Sequence, residues 1–154
     1  MKVSDIKKVA CVGGGVIGSS WAIQYAMRGL SVALYDINDE QLLKSRGQME
    51  KSLDALVGHD AITQTQKAEI VARVHPTTSM EEAVSDAQFI QESGPERLEI
   101  KRSILAQVEQ YAASDALYAS STSGLLISEI VAEAAHPAVS YTHLRAHETT
   151  LHLV

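Results

Sequence analysis

Residues 9–18 are Val9-Ala10-Cys11-Val12-Gly13-Gly14-Gly15-Val16-Ile17-Gly18, a short apolar run that passes directly into Gly-x-Gly-x-x-Gly. Residues 19–26 continue with a pattern typical of a helix. This order of strand, glycine turn and helix predicts the first βα turn of a dinucleotide-binding fold. Gly13 permits the tight turn, Gly15 lets the backbone approach a pyrophosphate, and Gly18 lets helix and strand pack closely. The first N–H groups of the helix would point at the phosphates.

Asp36 ends a second apolar run, Ser31-Val32-Ala33-Leu34-Tyr35-Asp36, and lies 18 residues beyond Gly18. An acid at the end of the second strand hydrogen-bonds the adenosine ribose of NAD and repels the 2′-phosphate of NADP. Ile37-Asn38 follow, with no arginine to receive that phosphate, so the sequence favours NAD as the cofactor. By itself Asp36 is equally well interpreted as a cap of the helix that starts near Asp39. The glycine turn favours the cofactor interpretation.

Length and composition describe one ordinary globular domain of 154 residues, of which 45% are hydrophobic. The net charge is −6 without a basic cluster, so no nucleic-acid partner is expected. No apolar run approaches about 18 residues and the first residues lack a signal-peptide core, so we expect no membrane partner and a cytoplasmic location. Cys11 is the single cysteine, which predicts a buried, unreactive thiol and argues against a disulfide framework or a metal site.

Strands and helices alternate along the chain. The sequence predicts strands at residues 8–13, 31–36, 87–91 and 116–120, and helices at 80–84, 96–112 and 127–135. A helical hairpin follows the second strand, with one helix from Asp39 and another that Thr63 caps and that runs through Val74. Ile70, Val71 and Val74 would face inward. This alternation predicts an α/β fold, a Rossmann-type doubly wound parallel sheet with an inserted hairpin and with its last strands missing.

Four separated motifs occur in a fixed order along the chain. They are the glycine turn at 13–22, Tyr35-Asp36-Ile37, Gln91-Glu92-Ser93-Gly94-Pro95-Glu96-Arg97-Leu98-Glu99-Ile100-Lys101, and Ala119-Ser120-Ser121-Thr122-Ser123-Gly124-Leu125. In that order they resemble the NAD-binding domain of the 3-hydroxyacyl-CoA dehydrogenase family, over residues 7–138. The resemblance is greatest to the branch acting on free hydroxy acids, the lambda-crystallin/L-gulonate 3-dehydrogenase and carnitine dehydrogenase types. It implies an oxidoreductase that transfers a hydride from a secondary alcohol carbon to NAD.

The resemblance also implies roles for particular residues. Val16 and Ile17 would lie under the pyrophosphate, and Asp36 would hold the ribose. Glu96 and Lys101 match the family pattern Glu-x-x-x-x-Lys and would shape the cofactor site. Without the family, Glu96 and Lys101 are better interpreted as a solvated first-turn acid and a surface lysine on one helix.

Ser123 matches the serine beside the reacting carbon, where its hydroxyl would hydrogen-bond and align the 3-hydroxyl of the substrate. Ser121 stands where acyl-CoA members of the family often carry Asn. The hairpin segment 52–60 has two acids and no lysine to meet the phosphates of CoA. Both departures favour a small hydroxy acid over a CoA thioester. The run Ser121-Thr122-Ser123 is also typical of a plain turn and cap after a strand.

The general-base histidine of the family has no clear match in this chain. Its position, 21 residues after Ser123, is occupied by Leu144. His136-Pro137 comes too early in the chain, and His143 lacks the proline and Asn-Pro context of the family motif. Neither histidine is a convincing general base.

The segment 139–154 loses the family pattern abruptly and resembles a translated sequencing adapter. We therefore expect an incomplete NAD-binding domain over 1–138 and a non-native tail over 139–154. The C-terminal helical domain, which would build the substrate wall and a homodimer, is expected to be absent. A chain of this kind would be inactive alone, because the catalytic histidine region is missing.

Three functions remain open from the sequence. The first is oxidation of the 3-hydroxyl of a small gulonate- or carnitine-like hydroxy acid. The second is an (S)-3-hydroxyacyl-CoA dehydrogenase acting on a substrate such as 3-hydroxybutyryl-CoA. The third is a non-catalytic NAD-binding, crystallin-like structural protein.

Overall fold

A parallel β-sheet of six strands forms the centre of the fold in the computed structural model, which describes residues 3–134 and 140–142. The strands are β1 (Lys8–Val12), β2 (Ser31–Tyr35), β3 (Val74–Thr77), β4 (Phe89–Glu92), β5 (Leu117–Ser120) and β6 (Ser140–Thr142). Their order across the sheet is β3-β2-β1-β4-β5-β6, and every pairing is parallel. The fold class predicted from the alternating sequence pattern is confirmed.

Helices connect the strands and cover both faces of the sheet. They are α1 (Val16–Met27), α2 (Asp39–Gly58), α3 (Gln64–Ala72), α4 (Met80–Val84), α5 (Leu98–Tyr111) and α6 (Ile127–Ile130). The first three pack on one face around a core that includes Cys11 and Leu53, and the last three pack on the other face around Ile90 and Leu105. Strands β1 and β2 therefore read as nearly continuous apolar runs, because they are buried on both faces.

The helical hairpin predicted after the second strand is formed by α2 and α3. The Asn38 side chain caps α2 by accepting a hydrogen bond from the backbone N–H of Gln41 at 3.0 Å. Helix α2 ends at Gly58, and His59 is its C-cap. Thr63 forms a reciprocal capping box with Gln66 at the start of α3. Ile70 is buried, as predicted for the inner face of α3.

Residues 74–77 form a strand that the sequence did not predict. Helix α3 ends at Ala72, so Val74 begins β3 and does not belong to the helix as expected. Pro76 argues against a central strand because proline lacks a backbone donor, but the edge position of β3 tolerates it. Residues 140–142 add β6 beside β5, a second strand that the sequence did not predict.

The described ranges also bear on membrane spans, metal sites and the single cysteine. Within residues 3–134 and 140–142, no helix is long and apolar enough to cross a bilayer. In the same part of the chain, no three His, Cys, Asp or Glu side chains are grouped so as to hold a metal ion. Cys11 is buried as predicted, and burial raises the pKa of its thiol, which keeps the thiol neutral and unreactive.

Candidate dinucleotide-binding site

A cleft of about 690 Å³ opens at the carboxyl ends of β1, β2 and β4. Strand β1 pairs with β2 on one side and with β4 on the other, so successive connections turn in opposite directions from it. Open α/β sheets bind ligands at such a switch point. The wall is formed by Val12, Gly13, Gly15, Tyr35, Asp36, Ile37, Gln41, Met80, Ser93, Gly94, Pro95, Glu99, Ile100, Ser103, Ile104 and Gln107.

The glycine turn borders this cleft, and its glycines have different neighbours. Gly13 has a φ of +100°, and a Cβ there would lie 2.8 Å from the carbonyl oxygen of Ser93. A Cβ on Gly18 would lie 1.7 Å from the carbonyl oxygen of Gly13, so α1 and the turn pack as closely as predicted. A Cβ on Gly15 would meet no protein atom within 4 Å. The space at Gly15 is therefore open to a ligand.

Helix α1 begins beside the turn and presents its N-terminus there. Gly15 is the N-cap and has no side chain to satisfy the first N–H groups, which leaves them available to an anion. Val16 and Ile17 are 68% and 52% exposed, although both are large and apolar. Exposed apolar side chains at this turn fit the predicted place under a pyrophosphate.

Asp36 lies directly after β2, with its carboxylate against the glycine turn. Its Oδ2 accepts a hydrogen bond from the N–H of Gly14 at 2.7 Å, and its Oδ1 accepts one from the N–H of Ile37 at 2.7 Å. Because Asn38 caps α2, the interpretation of Asp36 as the helix cap is wrong. Each carboxylate oxygen keeps a lone pair for a hydroxyl donor in the cleft.

Two buried serines hold the carbonyl group of Gly14, and the sequence did not predict either contact. Ser19 Oγ donates to the Gly14 oxygen at 2.8 Å, and Ser45 Oγ from α2 lies 2.5 Å from the same oxygen. A Cβ on Gly14 would lie 2.2 Å from Ser45 Oγ, so a side chain there would displace the Ser45 hydroxyl from the Gly14 carbonyl. The Gly14 peptide is fixed on both sides, at its N–H by Asp36 and at its carbonyl by the serines.

The cleft and its motifs match a known family. The sequence model of the 3-hydroxyacyl-CoA dehydrogenase NAD-binding domain matches residues 8–154. This chain belongs to that family. Family membership confirms the resemblance seen in the motifs and the NAD cofactor expected from Asp36. The matched range includes the segment expected to be a non-native tail, and the boundary at residue 138 stays a prediction.

Two curated relatives and one solved structure illustrate how much of each protein this chain covers. The chain is 38% identical over 135 residues to an L-carnitine dehydrogenase of Streptomyces griseus, covering 86% of this chain and 38% of the relative. It is 39% identical over 135 residues to an L-carnitine dehydrogenase of Pseudomonas aeruginosa, covering 88% of this chain and 41% of the relative. The structure is similar to (S)-3-hydroxybutyryl-CoA dehydrogenase from Ralstonia eutropha, with a TM-score of 0.86, 28% identity, and coverage of 90% and 48%. The chain spans about two fifths of the length of these curated relatives.

Lys101, one of the family-pattern residues, is buried in an ion pair with Glu92. Lys101 is 1% exposed and Glu92, at the end of β4, is 0% exposed. Lys101 Nζ lies 2.9 and 3.0 Å from the two carboxylate oxygens, and Ser120 Oγ of β5 donates to one of them at 2.5 Å. The surface-lysine interpretation is therefore wrong. Glu92 is an acid at the end of an apolar strand, a position where burial requires a partner, and this pattern points to a buried ion pair.

Lys101 reaches the cofactor cleft only through its neighbours. Its Nζ also lies 3.3 Å from the carbonyl oxygen of Gly94, and Gly94 lines the cleft. Lys101 thus ties α5 to β4, β5 and one stretch of the cleft wall. Its role in shaping the cofactor site stays a prediction, and the contact with Gly94 is compatible with a supporting role in the cleft wall.

Glu96 precedes α5, which begins at Leu98, so it is not a first-turn acid. Its Oε1 accepts hydrogen bonds from Thr122 Oγ1 at 2.7 Å and from the backbone N–H groups of Ser123 at 2.8 Å and Gly124 at 2.7 Å. Burial raises the pKa of Glu96, but these hydrogen bonds and the charge of Lys101 outweigh burial and lower that pKa to about 2. Glu96 therefore stays ionised and holds the loop after β5.

Ser123 is exposed in that loop, and Glu96 fixes its backbone. A hydrogen bond from Ser123 to the substrate hydroxyl stays a prediction. Ser121 is only 8% exposed and is hydrogen-bonded to the side chains of Gln91 and Ser93. Ser121 is thus part of a buried polar network, which a plain turn does not require.

The two histidines considered for the general base, His136 and His143, lie outside the described residues, as does Leu144. The described ranges contain His59, which ends α2, and His75 in β3. Strand β3 lies on the opposite side of β1 from β5, after which the Ser123 loop follows. The loop that carries Ser123, residues 121–126, contains no histidine.

Proposed function

We propose that this chain is the cofactor-binding part of an NAD-dependent dehydrogenase that oxidises the 3-hydroxyl group of a small carnitine- or gulonate-like hydroxy acid. The observation that carries the proposal is the Asp36 carboxylate at the end of β2, held 2.7 Å from the N–H of Gly14 in the glycine turn. A carboxylate in this place accepts the adenosine ribose hydroxyls and repels a 2′-phosphate. It supports NAD over NADP.

The residues present fit this cofactor. The open space at Gly15 and the unsatisfied N-terminus of α1 suit a diphosphate, and the cleft volume lies within the range of about 300–1,000 Å³ usual for ligand pockets. Bound NAD supplies the hydride acceptor for a secondary alcohol carbon. The residues that would bind or orient the ligands are Gly13, Gly15, Val16, Ile17 and Gly18 at the diphosphate, Asp36 at the ribose, Glu96 and Lys101 in the supporting wall, and Ser123 at the substrate hydroxyl.

A free hydroxy acid is the better supported substrate class. The curated relatives from Streptomyces griseus and Pseudomonas aeruginosa are named for carnitine. In the α2–α3 hairpin, residues 52–60 contain no lysine, and Lys67 of α3 is paired with Asp54. An anionic CoA phosphate would gain little attraction there.

Two other functions have support of their own. The similarity to the Ralstonia eutropha enzyme supports a 3-hydroxyacyl-CoA dehydrogenase. A non-catalytic NAD-binding protein is supported by the sequence, because Leu144 occupies the position of the family's general-base histidine. On the same ground we propose that this chain alone does not turn over substrate. A homodimer and a cytoplasmic location of the whole protein also remain proposals.

The cofactor proposal is tested by titrating NAD and NADP into the wild type, Asp36→Asn and Asp39→Ala. Asn at 36 keeps an oxygen for the Gly14 N–H and removes the charge. Loss of hydrogen bonds to a charged acceptor costs about 1.5–3 kcal/mol, so we expect NAD affinity to fall about tenfold or more and the discrimination against NADP to shrink. Asp39 is an exposed acid of the first turn of α2 and serves as the matched control. Equal affinity of the wild type for NAD and NADP would contradict the proposal.

The substrate alternatives are separated by assaying NAD reduction with L-carnitine, L-gulonate, 3-hydroxybutyrate and 3-hydroxybutyryl-CoA. The assay uses this chain and a protein in which the C-terminal part of the family is joined to it. Turnover of a free hydroxy acid by the longer protein is the expected result. Turnover of the CoA thioester alone would favour the second function, and no turnover of any substrate would favour the third.

A further inference from the structure

Four polar side chains form a hydrogen-bond chain that runs from α1 to the cofactor cleft. Tyr25 OH of α1 lies 3.2 Å from Gln91 Oε1 of β4. Gln91 Nε2 lies 2.8 Å from Ser121 Oγ, and Ser121 Oγ lies 2.9 Å from Ser93 Oγ. Gln91 is fully buried, whereas Ser93 lines the cleft. The hydrogen-bond chain therefore connects the buried amide of Gln91 to the part of the cleft surface that a ligand would touch.

Donor and acceptor chemistry fixes which atom donates in each bond of this hydrogen-bond chain. Gln91 Nε2 also lies 3.4 Å from the carbonyl oxygen of Glu92, which only accepts, so the amide nitrogen and oxygen are fixed. Burial raises the pKa of Tyr25, so its hydroxyl keeps the proton that it donates to Gln91. Ser121 accepts from Gln91 and has one proton left, for which Ser93 Oγ is the neighbouring acceptor. The proton of Ser93 is then left for an acceptor in the cleft.

Ser93 lies at the point where a dinucleotide would cross the sheet. Its backbone N–H donates to the carbonyl oxygen of Val12 at 2.8 Å, so it sits directly beyond β1. A Cβ on Gly18 would lie 3.5 Å from the Cβ of Ser93, which puts Ser93 opposite the start of α1. Asp36 follows β2, on the other side of β1. A dinucleotide with its adenosine at Asp36 extends its second half over β4, toward Ser93.

We propose that Ser93 is a cofactor-binding residue whose hydroxyl, oriented by Ser121, Gln91 and Tyr25, donates a hydrogen bond to an oxygen on the nicotinamide half of NAD. The acceptor is a phosphate or ribose oxygen of that half. The inference rests on the proposed NAD site and adds a binding residue to it. A donor that is fixed before binding loses less rotamer freedom when the ligand arrives, so the buried chain contributes to affinity without touching the ligand.

The test compares NAD with 5′-AMP, which carries only the adenosine half of the cofactor. Ligand-observed NMR titrations would measure both dissociation constants for the wild type, Ser93→Ala, Ser121→Ala and Ser85→Ala. We expect Ser93→Ala to weaken NAD binding about threefold to tenfold, the usual effect of one hydrogen bond, and to leave AMP binding within about twofold. Ser121→Ala should weaken NAD binding by a smaller factor, because it removes only the orientation of Ser93. Ser85, exposed after α4, is the matched control and should change neither constant.

The possible failures are distinguishable. Unchanged NAD affinity in Ser93→Ala would overturn the role of Ser93 and leave the NAD site intact. Equal losses of NAD and AMP affinity would also overturn it, since the effect would then be a general disturbance of the turn. No NAD binding by the wild type would overturn the proposed function and this inference with it. If Ser93→Ala does not fold, Ser93→Cys keeps a side chain of similar size with a weak donor, and an affinity equal to that of the wild type would overturn the inference.

Discussion

Neighbouring glycines in one turn meet different physical requirements. Gly13, Gly14 and Gly18 are enclosed by protein atoms, whereas Gly15 faces open space. The first three therefore serve the fold, and Gly15 is the glycine that we propose to serve a ligand. The glycine motif, a single pattern in the sequence, thus contains residues needed for the fold and a residue proposed for ligand binding. Individual substitutions can distinguish the two.

Replacing Gly15 and Gly18 by alanine tests this division. Gly15 has φ −62° and ψ −172°, which alanine adopts freely, so Gly15→Ala should keep the wild-type unfolding free energy and lose NAD affinity at least tenfold. Gly18→Ala forces a Cβ to 1.7 Å from a backbone oxygen and should lose about 1–3 kcal/mol or more, despite the better helix propensity of alanine. Urea denaturation and NAD titration measure both quantities. Unchanged NAD affinity in Gly15→Ala would contradict the assignment.

The sequence revealed the residues whose roles are local and missed those whose partners are distant. Gly13, Gly18 and Asp36 belong to a motif with fixed spacing, and their places are as expected. Ser45 contacts Gly14 across 31 positions of the chain, and no pattern in its own helix marks it. The periodicity of a sequence cannot reveal a residue whose role depends on a tertiary contact, even where that residue borders the site.

At the scale of elements, strands that are buried on both faces of the sheet can be predicted from the sequence, whereas the edge strand β3 cannot. Strands β1 and β2 are apolar because helices cover both faces of the sheet. Strand β3 has a partner on one side only and carries Pro76, so its composition resembles a loop. The sequence predicts a helix over 96–112, where α5 spans Leu98–Tyr111, but it does not predict the attachment of α5 to β4 and β5 through Lys101 and Glu92.

The Lys101–Glu92 pair should be coupled strongly in a double-mutant cycle. Lys101→Met leaves the buried Glu92 carboxylate without its ion-pair partner and should lose about 3–5 kcal/mol of unfolding free energy. Glu92→Gln should lose less, because Lys101 keeps the Glu96 carboxylate at 3.5 Å. The double variant should lose clearly less than the sum. The exposed pair Lys44–Glu40 on α2 is the matched control, with an expected coupling of about 0.3–0.5 kcal/mol. Additive losses at Lys101 and Glu92, measured by urea denaturation, would show that the two side chains do not act as a pair.

At the scale of the whole molecule, the link made by Glu96 joins the segment after β4 to the loop after β5. Three donors and Lys101 stabilise its ionised form, and the resulting pKa is about 2, below the value of about 4.3 that glutamate has in an unfolded chain. Between these two values the unfolded chain binds a proton at Glu96 that the folded chain does not. The stabilisation by Glu96 is therefore complete above about pH 4.5 and is lost as the pH falls toward about 2.

Acid unfolding should report this difference in protons directly. We expect the unfolding free energy of the wild type to fall more steeply between about pH 4.5 and pH 2 than that of Glu96→Gln, which keeps an oxygen for the loop donors but has no proton to take up. The difference in slope approaches one proton at its largest, with a smaller total effect than for a buried acid because the Glu96 side chain is 43% exposed. Urea denaturation at a series of pH values gives both slopes, and Glu50→Gln on α2 makes the same chemical change outside the loop. Parallel slopes for the wild type and Glu96→Gln would mean that the carboxylate does not hold the two loops together, and the support assigned to Glu96 at the cofactor site would fall with it.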